Sequence, residues 1–344
     1  MKRLLLLAMA LIAMVTNAYA IRMENNGNTW FLPDGRIVQT KRVVTDNGSA
    51  YPGIMCYNQN GKLLWEHTFL TPAVGRSCCE LTDQNDIAFL YHDENHQYFV
   101  EYFHPDGQFF KKCTWERQTI DGMLYEGGEV YCEKLPQGRV LSLRHWDGRE
   151  KRWEIQEAEK LTLYSVEKHG ENVYIELYMQ NSSKSAHSIV CVDEAKDVVL
   201  WEYRLDTAYP ANACTGNEQG GITFFVQKDA PNDQYEMEMI TLDENGTERN
   251  RSTVEGIPAV MAMNVIESQK DGLYQIWGYG YETYGENAVL HAVLNDQGKV
   301  MKRQDIPAAY ATCVRYLNNE IYVMEYENGL AGFELIPFEE FANK

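Results

Sequence analysis

Five groups of side chains in this 344-residue sequence are of types that could do chemistry. Cys78 and Cys79 are adjacent, and eight cysteines in all permit disulfides in an oxidising compartment. They are scattered over apolar runs without a CxxC pair, so zinc spacing is missing and buried free thiols are the expectation. His92 and His96 flank two carboxylates in YHDENHQY, but that segment is a polar link between apolar runs. Two histidines four apart bind zinc together when a helix puts them on one face, and here no helix is expected. DENG (243–246) and NDQG (295–298) resemble pieces of calcium loops without the full ligand spacing, and read as turns. WGYGYETYGEN (277–287) gathers Trp277, Tyr279, Tyr281 and Tyr284 among glycines. Aromatics on a rim loop stack on sugar rings or cover a peptide, whereas on a strand they pack against a neighbour. The sequence has no GxSxG elbow, no P-loop and no sialidase-type Asp box. Paired carboxylates for glycoside chemistry say little in so acidic a chain.

The elements that must position these groups are repeats. IMCYNQNGKLLWEHTF (54–69), FVEYFHPDGQFFKKCTW (99–115), VLSLRHWDGREKRWEI (140–155), SIVCVDEAKDVVLWEYRL (188–205), EMITLDENGTERNRSTV (238–254) and VLHAVLNDQGKVMKRQDI (289–306) share one form. Each is an apolar strand, a polar turn and a second short strand. Five of the turns carry Gly61, Gly107, Gly148, Gly246 and Gly298; the turn around Lys196 has none. Asx-Gly between alternating runs is a hairpin signal, because those residues tolerate positive φ. Two further strand-like runs precede each hairpin, for instance SCCELTD (77–83) and DIAFLYH (86–92).

Four short strands per 40–50 residues predict an all-β fold, a β-propeller of four-stranded antiparallel blades. Cys79, Cys214 and Cys313 each precede the next apolar strand by eight residues, at Ile87, Ile222 and Ile321, as equivalent inner-strand positions would. Six complete hairpin units leave three C-terminal strands, ATCVRYL, EIYVMEY and GFELIPF. A fourth from the residues near Ile21 to Asn25 would close the ring. The count favours seven blades and also admits six or eight. On this reading Arg76 and Tyr310, at matched offsets before Cys79 and Cys313, line the central channel.

NQNGKLLWE (58–66) and DEAKDVVLWE (193–202) resemble the repeat of the pyrroloquinoline-quinone-like (quinoprotein-like) β-propellers, in which a turn is followed by an apolar pair and Trp. The resemblance implies that Trp65 and Trp201 dock between neighbouring blades, with Trp153 a looser match. Lys111, Asn250 and Lys302 replace Trp in other units. Quinone-dependent dehydrogenases of that group set an adjacent-cysteine disulfide against their cofactor. Without a matching set of calcium and cofactor ligands, Cys78-Cys79 carries no such implication and no cofactor is expected.

The first twenty residues read as a signal peptide: Lys2 and Arg3, an apolar run from Leu4 to Val15, then Ala18-Tyr19-Ala20. The run is shorter than the roughly 20 residues of a membrane span. Residues 21–344 then form a single propeller domain, secreted or held in the cell envelope as a monomer. The formal net charge of -19 repels phosphate, which argues against nucleic acid as a partner. The expectation is an exported, non-catalytic propeller that binds a glycan, a small molecule or an envelope protein. Its candidate ligand residues are Trp277, Tyr279, Tyr281, Tyr284, Arg76 and Tyr310, and no metal site is expected. An enzyme acting on a glycan in the channel and a scaffold of an envelope assembly are the alternatives.

Overall fold

In the computed structural model the described residues are 20–21, 28–44, 50–69, 77–116, 118–136, 138–155, 159–180, 185–205, 209–230, 234–257, 262–269, 272–279, 288–307, 311–317, 320–325 and 329–334. Every named element among them is a strand, and the strands form seven four-stranded antiparallel sheets. The N-terminal strand β1 (Ala20–Ile21) belongs to the last sheet. The first blade is β2 (Thr29–Phe31), β3 (Ile37–Val44), β4 (Ala50–Tyr57) and β5 (Leu63–Thr68). The second is β6 (Cys78–Leu81), β7 (Ile87–His92), β8 (Tyr98–Phe103) and β9 (Phe109–Thr114). The third is β10 (Thr119–Tyr125), β11 (Gly128–Leu135), β12 (Gly138–His145) and β13 (Glu150–Ile155). The fourth is β14 (Lys160–His169), β15 (Asn172–Gln180), β16 (Ser185–Asp193) and β17 (Val198–Leu205). The fifth is β18 (Ala211–Gly216), β19 (Ile222–Ala230), β20 (Gln234–Leu242) and β21 (Glu248–Thr253). The sixth is β22 (Ala262–Gln269), β23 (Leu273–Tyr279), β24 (Ala288–Leu294) and β25 (Val300–Pro307). The seventh is β26 (Ala311–Leu317), β27 (Glu320–Glu325), β28 (Gly329–Glu334) and β1.

The seventh sheet is closed from the chain's other end, with Ala20 opposite Ala331 and Ile21 opposite Leu330. The expected closing strand therefore exists, one residue earlier than the sequence suggested. The six hairpins are the third and fourth strands of blades one to six. The second strand of blade three is the eight-residue β11. Cys79 and Cys214 occupy matching places on β6 and β18, opposite Phe89 and Phe224, each ten residues on. Cys313 on β26 is opposite Met324, one residue out of step with the other two.

Apolar clusters between blades explain why the middle strands read as near-continuous apolar runs. A strand buried on both faces has no need of polar alternation. On β7, Ile87, Phe89 and Tyr91 face blade one, and Ala88 and Leu90 face blade three. On β15, Val173, Ile175 and Leu177 face blade three, and Tyr174 faces blade five. The outermost strands have solvent on one side and read mostly exposed, as β9 does along nearly its whole length.

Two hairpins dock their tryptophan on the next blade. Trp65 donates from Nε1 to the Pro105 carbonyl at 3.1 Å and stacks on Phe103 with centroids 5.6 Å apart. Trp201 donates to the Glu244 carbonyl at 2.9 Å. Each indole lies where a Cβ on a turn glycine would be, 2.4 Å away at Gly107 and 2.5 Å at Gly246. Asn250 makes the corresponding bond to the Asp296 carbonyl at 2.6 Å.

Candidate functional site

Antiparallel order sends the first-to-second and third-to-fourth turns of every blade to one end of the ring, here the turn end. The second-to-third loops and the links between blades go to the other. At the turn end an Asn or Asp repeatedly opens the hairpin. Asn58 Oδ1 accepts from the Asn60 and Lys62 amides at 3.0 and 2.9 Å, and Asp243 Oδ1 does the same for Asn245 and Thr247. These side-chain bonds supply what the tight backbone cannot and hold the turns rigid.

A cavity of about 680 Å³ opens among turns of four blades. Its lining runs from Pro33 in blade one through Glu80–Asp83 in blade two and Glu126-Gly127 in blade three to Gly170-Glu171 in blade four. The third-to-fourth turns of blades three and four add His145–Asp147, Arg149 and Glu194-Ala195. Six carboxylates and two permanent cations, Lys168 and Arg149, face it.

The side wall between blades three and four is built around His145, which is buried. His145 Nε2 lies 2.8 Å from Asp197 Oδ1, and its Nδ1 lies 3.5 Å from Glu194 Oε1. The Tyr125 hydroxyl donates to Glu194 Oε1 at 2.9 Å, and Lys168 Nζ reaches Glu194 Oε2 at 2.7 Å. Burial, then the neighbouring Glu194 charge, keeps the Tyr125 proton on well above the ordinary phenol range. Arg149 spans from Asp147 (2.8 Å) to Asp197 (3.6 Å). Its hydrogen bond holds the Asp147 carboxyl below the usual carboxylate range. Gly127 fits because a Cβ there would sit 2.0 Å from the Glu194 carboxylate. Asp197 is the residue that replaces glycine in the fourth hairpin, and it takes φ of +53°. The departure from the repeat thus puts a carboxylate on a neighbouring blade's histidine.

A smaller slot of about 270 Å³ continues from this cavity between blades two and three, sharing Thr82, Asp83, His145 and Trp146. Tyr102, Phe110 and Trp146 form a row of rings along it. Phe110 lies 6.1 Å from Tyr102, and Trp146 meets Tyr102 edge-on at 6.3 Å. Glu129 lies at its floor, buried at 3 % exposure. Its carboxylate accepts from the Tyr102 hydroxyl (2.8 Å), Trp115 Nε1 (2.9 Å) and Arg144 Nη1 (3.2 Å). Burial still pushes the Glu129 carboxyl above the ordinary range, against the lowering by those three donors. A third cavity, about 880 Å³, lies at the same end between blades five and six. It is lined by Glu218, Asp243, Glu244 and Asp296, with Arg249 held by Asp243 at 2.5 Å.

Of the residues expected to bind ligand, Trp277 is fully buried on β23 and stacks on His291 at 5.6 Å and 3°. It has no face left for a ligand, so its rim role is corrected to packing. Tyr279 is the last residue of β23, towards the end of the ring opposite the cavities. Tyr281, Tyr284, Arg76 and Tyr310 lie outside the described residues. Cys78 and Cys79 are not joined in a disulfide, and the Leu124 amide donates to Cys78 Sγ at 2.9 Å. The rings of His92 and His96 lie 5.3 Å apart at a turn where His96 takes φ of +58°. Among the described residues no group of three or more His, Cys, Asp or Glu side chains is placed to hold a metal.

Neither a protein-family model nor a curated protein matches the sequence. Solved structures do. A chain from a study of two prolyl endopeptidases is 10% identical with a TM-score of 0.53, over 94% of this chain and 52% of that one. Prolyl oligopeptidase B from Galerina marginata is 10% identical with a TM-score of 0.58, over 92% of this chain and 50% of that one. A protein of unknown function from Bacteroides caccae is 12% identical with a TM-score of 0.41, over 74% of this chain and 89% of that one. This chain spans about half the length of the two peptidase chains, and their likeness shows the β-propeller fold alone. The narrower pyrroloquinoline-quinone-like grouping is not shown, although tryptophans dock as that repeat implies.

Proposed function

We propose that this chain is an exported binding protein that takes a ligand or partner at the turn end of its propeller. The observation that carries the reading is the 680 Å³ cavity shared by the turns of four blades. Concave sites where several repeats converge are where propeller-like folds can present diverse side chains on a rigid frame. The reading is non-catalytic because the charged groups of the side wall are spent on one another. Glu194, Asp197, Lys168 and Arg149 hold the wall in shape. The surplus of carboxylates at the mouth favours cationic or neutral ligands over anions.

Hydrogen exchange on the chain from Ala20, which keeps the closing strand, with and without a panel of glycan fragments, amines and envelope extracts, tests this. Binding should slow exchange in the segments 82–86, 126–127, 145–149 and 170–171 together. Slowing confined to the opposite loops, or turnover of the added compound, would overturn the reading.

A further inference from the structure

We infer that the slot between blades two and three is a subsite for an ammonium group, received between the rings of Tyr102, Phe110 and Trp146 above the carboxylate of Glu129. The inference rests on the turn end being the binding end and adds the chemistry of what it binds.

Three observations combine. The slot is lined by the rings of Tyr102, Phe110 and Trp146, with Phe110 also stacked on His104 at 4.2 Å, and the negative face of a ring attracts a cation. Its floor is the Glu129 carboxylate, 3 % exposed, which lies 3.2 Å from Arg144 Nη1 and accepts from the Tyr102 hydroxyl that borders the slot. The protein already places an ammonium there: Lys111 Nζ sits 4.7 Å over the Tyr102 ring. Lys111 is an exposed residue on the outermost strand β9, so its stem can swing away and yield the ring to a ligand. It acts as an internal stand-in that a ligand amine displaces.

The volume of about 270 Å³ accepts one ring or a short aliphatic stem with its charged head. Once Lys111 has moved, Asp83, Asp86 and Glu129 outnumber Arg144 in the lining, which disfavours carboxylates and phosphates. The ammonium can arrive on a free small amine or on a lysine side chain of a partner, and both share the contacts named.

Isothermal titration uses benzylammonium, with benzyl alcohol as neutral isostere and benzoate as anionic counterpart. A short blocked peptide with one lysine forms a further arm, and a peptide that binds when benzylammonium does not assigns the source to a partner's side chain. Benzylammonium or the peptide should saturate, and the alcohol and benzoate should bind more weakly. Phe110→Ala, at an exposed ring, should weaken the ammonium ligand about fivefold, the size of one ring–cation contact. Glu129→Gln should weaken it at least as much. Lys111→Met should tighten it, because the internal competitor is gone, whereas a site for anions would lose affinity with that lysine. Tighter binding of benzoate, weaker amine binding in Lys111→Met, unchanged binding in Phe110→Ala, or no saturation by either ammonium probe overturns the inference. If benzoate or the alcohol instead slows exchange at 82–86 and 145–149, the turn-end reading stands and only the ammonium assignment falls. Slowing only at the opposite end sinks both.

Discussion

Two single residues carry measurable consequences of where the fold has put them. His291 is fully buried on β24 against Trp277, and burial lowers its pKa from 6.5 to about 4. Between those values the unfolded chain binds a proton that the native protein refuses. Stability must therefore rise with pH across that window; the contribution is fully present above 6.5 and is lost as pH falls through about 4. A shift of this size is worth about 3 kcal/mol. Urea unfolding of His291→Gln from acid to neutral pH should show a flatter rise than the parent protein, and an unchanged slope would refute the assignment. Asp197 is the second case. At φ of +53° it is strained, and its carboxylate holds His145 at 2.8 Å. Asp197→Gly loses the bond and relieves the backbone, whereas Asp197→Ala loses the bond and keeps the strain. The alanine variant should be about 1–2 kcal/mol less stable than the glycine variant by urea midpoint. Equal midpoints would show that backbone strain is not what the turn glycines answer. The glycine-less turn around Lys196 was the clue visible in the sequence, and what Asp197 holds there is the preceding blade's histidine.

The elements were legible where chemistry is local. Asx-Gly turns and apolar runs are decided within a few residues, so the hairpins and the strand number per unit could be read directly. The cavity was not legible, because it is composed of short turns from four units whose spacing varies, and no contiguous motif spans them. The aromatic segment at 277–287 drew attention for the opposite reason: its residues are adjacent in sequence, yet Trp277 is consumed by packing. Docking of a hairpin on its neighbour is a property of the element, and glycine reports it. Gly107, Gly246 and Gly170 all have positive φ, of +88°, +74° and +62°. Only the first two have an indole in the space a Cβ would take; nothing lies within 4 Å at Gly170. Gly170→Ala should cost about 1 kcal/mol from backbone strain alone, and Gly107→Ala and Gly246→Ala about 3 kcal/mol. Thermal unfolding orders the three, and comparable losses would mean that the indole can retreat without cost. Trp65→Ala should absorb much of the Gly107→Ala penalty, since the two changes act on one contact and are not additive.

For the whole molecule the question is what keeps seven similar sheets in one ring. Neighbouring blades share apolar clusters, such as Leu32, Ile54, Phe69 and Phe89 between the first two. Such contacts propagate along a row of blades but do not by themselves join its ends. The joint is made where β1 pairs with β28, with Ala20 opposite Ala331 and Ile21 opposite Leu330. Phe31 of the first blade also meets Tyr322 of the seventh, ring centroids 6.2 Å apart. A chain starting at Asn28 keeps the ring contact and loses the strand pairing. It leaves β28 as an uncovered edge with unpaired backbone groups, which is the surface on which chains add to one another. Such a chain should melt earlier than one starting at Ala20 and associate with rising concentration, by calorimetry and light scattering. Identical melting and a monomer at all concentrations would mean that the apolar interfaces alone hold the ring. In that event the two-residue strand would be a seal on the last blade and not the closure of the fold.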